Sequence, residues 1–176
     1  APFPVVVSLP ATGEVVYLNQ QAADQVGIAR DGSYHTLDFY ADHADRNRLL
    51  TQLRATGSVD QIEIQLRSAT GRVFWAYVSI QQIPMDERPA FITAFVDISE
   101  RKQAELQLLQ SEQRFSRMFH GSPAASLITD LKHGIVKDVN AACLALLGKP
   151  STELIGHPVI EIGLITPARR AEYVAQ

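Results

Sequence analysis

Five histidines, one cysteine and 19 carboxylates are the side chains of this 176-residue sequence that ligate metals, act as nucleophiles or carry protons. Whether they do so depends on spacing. His35 and His43 lie in a polar stretch of the first third and read as loop or surface residues. His120 closes a helical run, where a cation complements the partial negative charge of a helix C-terminus. His133 falls in a hairpin turn, and His157 stands between Gly156 and Pro158 in a loop. Cys143, in NAACLALLG, sits on an apolar helix face, where a free thiol packs as a small hydrophobe. No Ser/His/Asp set, no metal-spaced Cys/His cluster and no phosphate-cradling glycine run is present. The expectation is a non-enzyme with no catalytic residues and no metal site.

Bulk properties narrow the class further. The chain is 46% apolar and 20% charged, with a net charge of −3 and both signs interspersed. That supports a packed core and provides no electrostatic footprint for nucleic acid or an anionic membrane. A single cysteine excludes an internal disulfide and fits a reducing compartment. No apolar run approaches the roughly 20 residues of a membrane span. The opening APFPVVVSLP has no basic leader and no initiator Met, so no signal peptide is expected. The segment reads as a soluble, cytoplasmic piece of a longer protein, with membrane anchorage of the parent left open.

Periodicity places the elements. Val5–Ser8 is a short strand, Pro10–Gly13 supplies turn residues, and EVVYLN over Glu14–Asn19 is a second strand. Gln20–Val26 is helical and stops at Gly27. Asp45–Leu53 is a helix with Leu49, Leu50 and Leu53 on one face, which leaves His43 ahead of it. Gln61–Arg67 alternates, with Ile62, Ile64 and Leu66 on one side, and Ser68–Gly71 turns into Val73–Ile83. Pro84–Pro89 reads as a charged loop before Ala90–Ile98. Strands and short helices followed by a three-strand antiparallel meander predict an α+β fold.

One joint has no loop. FVDISERKQAEL runs from a strand into a helix over Glu100–His120, with Asp97 and Ser99 as capping residues, Gly121 as the C′ residue and Pro123 just beyond. Asp97 and Arg101 have the i,i+4 spacing that would tie strand end to helix start. Ala104, Leu108, Phe115 and Met118 form a heptad-like stripe, with Arg101 and Ser111 in the remaining seam positions, as in a marginal coiled coil. An amphipathic helix packed on its own domain is the competing reading.

The sequence also repeats itself. GEVVYLNQQAADQVG (Gly13–Gly27) aligns with GIVKDVNAACLALLG (Gly134–Gly148) at a constant offset. Gly13, Val15, Asn19 and Gly27 match Gly134, Val136, Asn140 and Gly148. A short apolar strand precedes each block, Val5–Ser8 in one and Ala125–Thr129 in the other. The second copy has no counterpart of the meander, so its open edge is expected to borrow a partner, from a second chain or the first domain.

These blocks, with STELIGHP after the second, resemble the opening of a PAS domain. RVFWAYVSI followed by AFITAFVDISERKQAE resembles its close, and SEQRFSRMFHGSP resembles the linker into a following PAS repeat. The resemblance covers essentially the whole chain. It implies a PAS-like sensor domain over 1–99, a connector helix over 100–120 and the N-terminal part of a second PAS-like domain over 121–176. It implies a five-stranded antiparallel sheet cradling short helices, with room for a small-molecule ligand between them. It further implies a signal-relay module of a bacterial histidine kinase or cyclic-dinucleotide enzyme, whose C-terminal output domain is not represented in these residues.

In that relay Asp97, Ser99 and Arg101 would couple strand to helix. Ala104, Leu108, Phe115 and Met118 would line the helix of a homodimer, with exchange of 121–176 as one form it could take. The cofactor stays unassigned. Some relatives carry a haem-ligating His near His35 and His43, but His43 is expected outside the helix. Photoreactive flavin members carry an Asn-Cys-Arg run that Cys143 does not match. Trp75 is left as a neighbour for a non-covalent flavin or, more simply, as core. A ligand-free dimerisation or protein-interaction module is the alternative function.

Overall fold

The computed structural model describes residues 3–86 and 88–174, with side chains through residue 171. The chain divides into two compact units, Ala1–Glu105 and Leu106–Gln176.

The first unit contains a five-stranded antiparallel sheet in the order β2-β1-β5-β4-β3. Its strands are β1 (Val5–Ser8), β2 (Val15–Leu18), β3 (Ser58–Arg67), β4 (Val73–Met85) and β5 (Arg88–Asp97). Period-two alternation sets the faces. Along β4, Phe74, Ala76, Val78 and Ile80 are buried, while Trp75, Tyr77 and Ser79 point to the other side. Each large apolar side chain fully buried this way contributes roughly 1.5–3 kcal/mol. The inner face packs against α1 (Gln20–Val26), a 3-10 helix (Thr36–Phe39) and α2 (His43–Thr56), whose Leu49 and Leu53 are buried.

Local chemistry explains the boundaries. Asn19 caps α1 by accepting the Ala22 N–H, and Gly27 closes it in the left-handed region at φ 72°. Helix α2 starts two residues before the expected Asp45 because the Asp42 carboxylate accepts the Ala44 N–H. His43 is therefore the first residue of the helix and not a loop residue before it. The expected loop Pro84–Pro89 is shorter than predicted: Pro84 pairs with Pro89 and Met85 with Arg88, leaving a tight turn entered through Asp86 at φ 46°. Proline breaks a ladder only where its missing N–H would donate.

Helix α3 (Ser99–Gly121) leads from the first unit into the second and has no buried residue. The second unit holds β6 (Leu127–Thr129), β7 (Val136–Val139), α4 (Ala141–Leu147), a 3-10 turn (Ser151–Glu153) and α5 (Pro167–Val174). Val139, Cys143 and Leu154 form its small buried cluster. Strands β6 and β7 make a two-stranded antiparallel sheet.

The internal repeat holds at the level of individual hydrogen bonds. Asn19 Oδ1 accepts from the N–H groups of Val5 and Ala22, and Asn19 Nδ2 donates to Phe3 O. Asn140 Oδ1 accepts from Ser126 and Cys143, and Asn140 Nδ2 donates to Ala124 O. Every partner in the second set lies 121 positions after its counterpart. Both hairpins also carry a register shift at the equivalent place, after Val7 in one and Ile128 in the other.

Asn140 does one thing more: its Nδ2 also donates to Phe119 O at 3.1 Å, in the last turn of α3. The expectation of a left-handed C′ glycine at Gly121 fails here. Gly121 is the last helical residue and its φ is not positive, and the side-chain amide of Asn140 serves a terminal carbonyl instead.

Candidate functional site

The joint between β5 and α3 is a side-chain network built around the first strands of the meander. The β4–β5 ladder reaches Ala76 opposite Asp97. One step further the chain leaves the sheet but stays bonded to β4. Ile98 N–H donates to Trp75 O at 2.8 Å, and Trp75 N–H donates to Ser99 Oγ at 3.0 Å. Ile98 is buried and pins the step from below. Ser99 thus spends its hydroxyl on the sheet and does not cap its own helix. Asp97 takes the capping role, accepting the Ser99 N–H on Oδ1 at 2.9 Å.

The other Asp97 oxygen is held from two sides. Oδ2 accepts from Arg72 Nη2 and from Gln25 Nε2, each at 2.9 Å. Burial raises the Asp97 carboxyl, but hydrogen bonds from Ser99 and the Arg72 guanidinium outweigh it and leave its pKa below the ordinary aspartate value. The expected Asp97–Arg101 tie is not formed. Both Asp97 oxygens are already occupied, and Arg101 projects instead across the outer face of the sheet.

There it meets Glu63 on β3, with Nη2 2.6 Å from Oε1, while its guanidinium lies 4.8 Å from the Tyr77 ring centroid. Lys102 pairs with the other Glu63 oxygen and places its ammonium 5.3 Å from the Trp75 ring centroid. Hydrogen bonds from Lys102, Arg101 and Tyr77 hold the Glu63 carboxyl down at about 2. Glu105 adds a weaker contact to Arg101 at 3.4 Å. Trp75 is therefore neither core nor a lining of the interior cavity. It belongs to the outer face, as its alternation with Phe74 and Ala76 requires.

Beyond the joint, Ala104, Leu108, Phe115 and Met118 are all exposed along α3, with Met118 at 68%. Leu106 and Leu109 are exposed as well, so the apolar stripe is broader than a two-position seam. Phe115 and Phe119 stack at 5.8 Å.

Inside the first unit, an apolar cavity of about 60 Å³ lies between the sheet and the helices, lined by Val6, Val15, Leu18, Val78 and Phe95 among others. Pockets for drug-sized ligands run to roughly 300–1,000 Å³.

The histidines stay dispersed. His35 flanks the 3-10 helix, its ring so close to Gly13 that a Cβ there would stand 2.7 Å from Cε1. His43 is exposed at the start of α2. His120 Nε2 lies 3.3 Å from Asp138 Oδ2, and the His133 N–H donates to Asp130 Oδ1 in the hairpin turn. The His157 carbonyl accepts the Val136 N–H. Cys143 is buried against Val139 and Leu154, as its packing reading requires. Among the described residues, no three His, Cys, Asp or Glu side chains converge, and no helix is long and apolar enough to cross a membrane.

Three comparisons bear on this architecture. The PAS domain family model matches residues 2–100, and a second PAS domain model matches 113–173. Sporulation kinase C of Bacillus subtilis (strain 168) is 25% identical over 149 residues, covering 82% of this chain and 34% of the kinase. Sporulation kinase E of the same organism is 28% identical over 89 residues, covering 47% of this chain and 12% of that protein. The chain thus spans about a third or less of these relatives. Among solved structures, an RNA-binding light-oxygen-voltage receptor shares the fold, with a TM-score of 0.53 at 20% identity, covering 64% of this chain and 34% of that one. With the first PAS domain match extending over more than half its length and a second beyond the connecting helix, the chain belongs to the PAS domain family.

Proposed function

We propose that the chain is a sensory relay module of a multidomain bacterial signalling protein, a histidine kinase or cyclic-dinucleotide enzyme. Ligand occupancy or an upstream conformational change shifts the sheet, and the β5–α3 joint passes that shift into the helix. The observation that carries this reading is the double attachment of the joint. Asp97 and Ser99 fix it to Arg72, Gln25 and Trp75, while Glu63 fixes Arg101 and Lys102 to the sheet's outer face. Flexible residues between strand and helix would absorb displacement; a bonded joint forwards it.

In this reading residues 1–99 form the sensor, 100–120 the signalling helix and 121–176 the opening of a second PAS-like domain, all in the cytoplasm. The bond from Asn140 to Phe119 O gives the far end of α3 its own attachment. The exposed stripe Ala104, Leu108, Phe115 and Met118 pairs with a second copy in a homodimer. Asp97→Ala in the full-length protein should uncouple output from stimulus while the fold persists; normal output from that variant contradicts the relay.

A second reading, a ligand-free dimerisation module, draws support from α3, which has no buried residue and exposes Leu106, Leu108, Leu109, Phe115 and Met118. Native mass and an absorbance spectrum separate the two: a bound metabolite or chromophore favours sensing, and a clean apo dimer favours interaction.

A further inference from the structure

Strand β3 is not regular. Val59 stands opposite Ile80 and Ile62 opposite Val78, so Asp60 and Gln61 together face the single residue Ser79. This is a β-bulge on an edge strand of the sheet. It holds Gln61 at φ 49°, in the left-handed region that a residue other than glycine rarely adopts. Side chains close the bulge: the Gln61 N–H donates to Ser79 Oγ at 3.1 Å, and Ser79 Oγ donates to Asp60 Oδ1 at 2.8 Å. Both bonds are exposed, where water can serve the same groups. The hydroxyl therefore fixes a backbone position; it does not rescue a buried donor.

That position decides what Glu63 does. Val59, Ile64 and Leu66 are buried on the inner face, with Ile62 packed beside them. In an unbroken strand, residues an even number of places from Val59 share its face. Glu63 would then turn towards the core, and Ile62, Ile64 and Leu66 would turn out. The extra residue resets the phase and sends Glu63 outward, opposite Tyr77, where it meets Arg101 and Lys102. Successive outward residues of β4 serve the assembly. Ser79 holds the bulge, Tyr77 hydrogen-bonds Glu63 and lies under Arg101, and Trp75 lies under Lys102.

We propose that Ser79, oriented by Asp60, is a positioning residue of the joint: it locks the β3 bulge in the place that presents Glu63 to the first turn of α3. Gln61 bears the backbone strain of that reset. The proposal deepens the relay reading and rests on it only in counting the Glu63 contacts as part of what moves α3.

The test is an NMR titration of the Glu63 carboxyl, with hydrogen exchange over residues 99–105, in the whole chain and its variants. Glu63, held at about 2, is bonded by Lys102 and Arg101 from α3 and by Tyr77 from β4. In Ser79→Ala, and in Gln61→Val, whose β-branched side chain resists positive φ, it should rise by about one pH unit or more as those contacts loosen. Amide exchange at 99–105 should quicken about threefold or more. Ser79→Thr, which keeps the hydroxyl, and Gln61→Gly, which accepts the backbone, should both stay close to the unaltered chain. Strand propensity alone gives the opposite order at position 61, with valine the better residue and glycine the worse. A Glu63 titration that Ser79→Ala leaves unmoved, that Ser79→Thr moves equally, or that Gln61→Gly moves more than Gln61→Val overturns the proposal. Should Gln61→Val fail to fold, Ser79→Ala and its threonine rescue decide alone. Movement of Glu63 with normal output from the full-length protein would leave the positioning role standing and remove these contacts from the relay. Loss of output in Asp97→Ala, with Glu63 unmoved in Ser79→Ala, would do the reverse.

Discussion

Glu63 and Arg101 stand 2.6 Å apart, Oε1 to Nη2, although 38 residues separate them in the chain. The contact joins the far edge of the sheet to the first turn of α3, and Lys102 shares the same carboxylate. Both partners are substantially exposed, so the pair adds little to global stability. Its effect is on where the helix points. Glu63→Gln should leave the melting temperature nearly unchanged while amide exchange in the first turn of α3 accelerates several-fold. Hydrogen-exchange mass spectrometry across residues 99–105 checks this, and unaltered protection there would show that the contact has no positional role.

The same carboxylate sets a pH dependence. Held at about 2 in the folded chain, Glu63 ionises more readily there than in an unfolded chain, where glutamate titrates near 4.3. The folded state binds fewer protons, so its stabilising contribution is complete above roughly pH 4.5 and is lost as pH falls towards 2. Amide exchange across residues 99–105 in the native chain and in Glu63→Gln, followed over that range, should therefore converge on acidification. A difference in protection that persists down to pH 2 would contradict the assignment.

Loss of Asn19 or Asn140 would leave several backbone groups of its hairpin and helix without their partners. Asn140 is fully buried and its side chain serves Ser126, Cys143, Ala124 and Phe119. Asn140→Ala should cost roughly 1–3 kcal/mol for each buried partner left unsatisfied. Asn140→Asp should be nearly as harmful, because a carboxylate replaces the donor that faces the carbonyls of Phe119 and Ala124. Urea denaturation of the two variants, and of the Asn19 equivalents, measures these losses; a harmless Asp substitution would rule out the donor role.

The stripe on α3 makes a prediction about association. Leu108→Lys with Phe115→Lys places two charges in the proposed dimer seam and removes no buried residue from either unit. Dimer affinity should fall about tenfold or more with far-ultraviolet circular dichroism unchanged. Analytical ultracentrifugation reads the affinity, and a dimer unaffected by both charges would place the interface elsewhere.

Much of this fold was readable from periodicity and capping. Helix α1 and strand β1 begin and end where the sequence pattern puts them, since Asn19, Gly27 and the β-branched run are local signals. The Gly–Asn–Gly repeat was legible because both copies carry the same residue types at the same spacing, although Asn19 reaches back 14 and 16 positions to Val5 and Phe3. The joint was legible as a place but not as a network. Alternation of Ile62, Ile64 and Leu66 already sends Glu63 outward, yet nothing local says that α3 begins beside it.

Arg72 and Gln25 reach Asp97 from 25 and 72 residues away, so the i,i+4 neighbour Arg101 looked like the better partner. Pro84 and Pro89 read as breakers, whereas facing each other at the end of a ladder they cost no donor.

The relay rests on β5 and α3 moving as one body. Nitroxide labels at Gln82 on β4 and Gln103 on α3 report this within the first unit, through the distance distribution from double electron–electron resonance. A single narrow distribution is expected for the otherwise unaltered chain, broadening when Asp97→Ala and Ser99→Ala are introduced together. A distribution already as broad without those substitutions, or one that stays narrow with them, would contradict transmission through this joint.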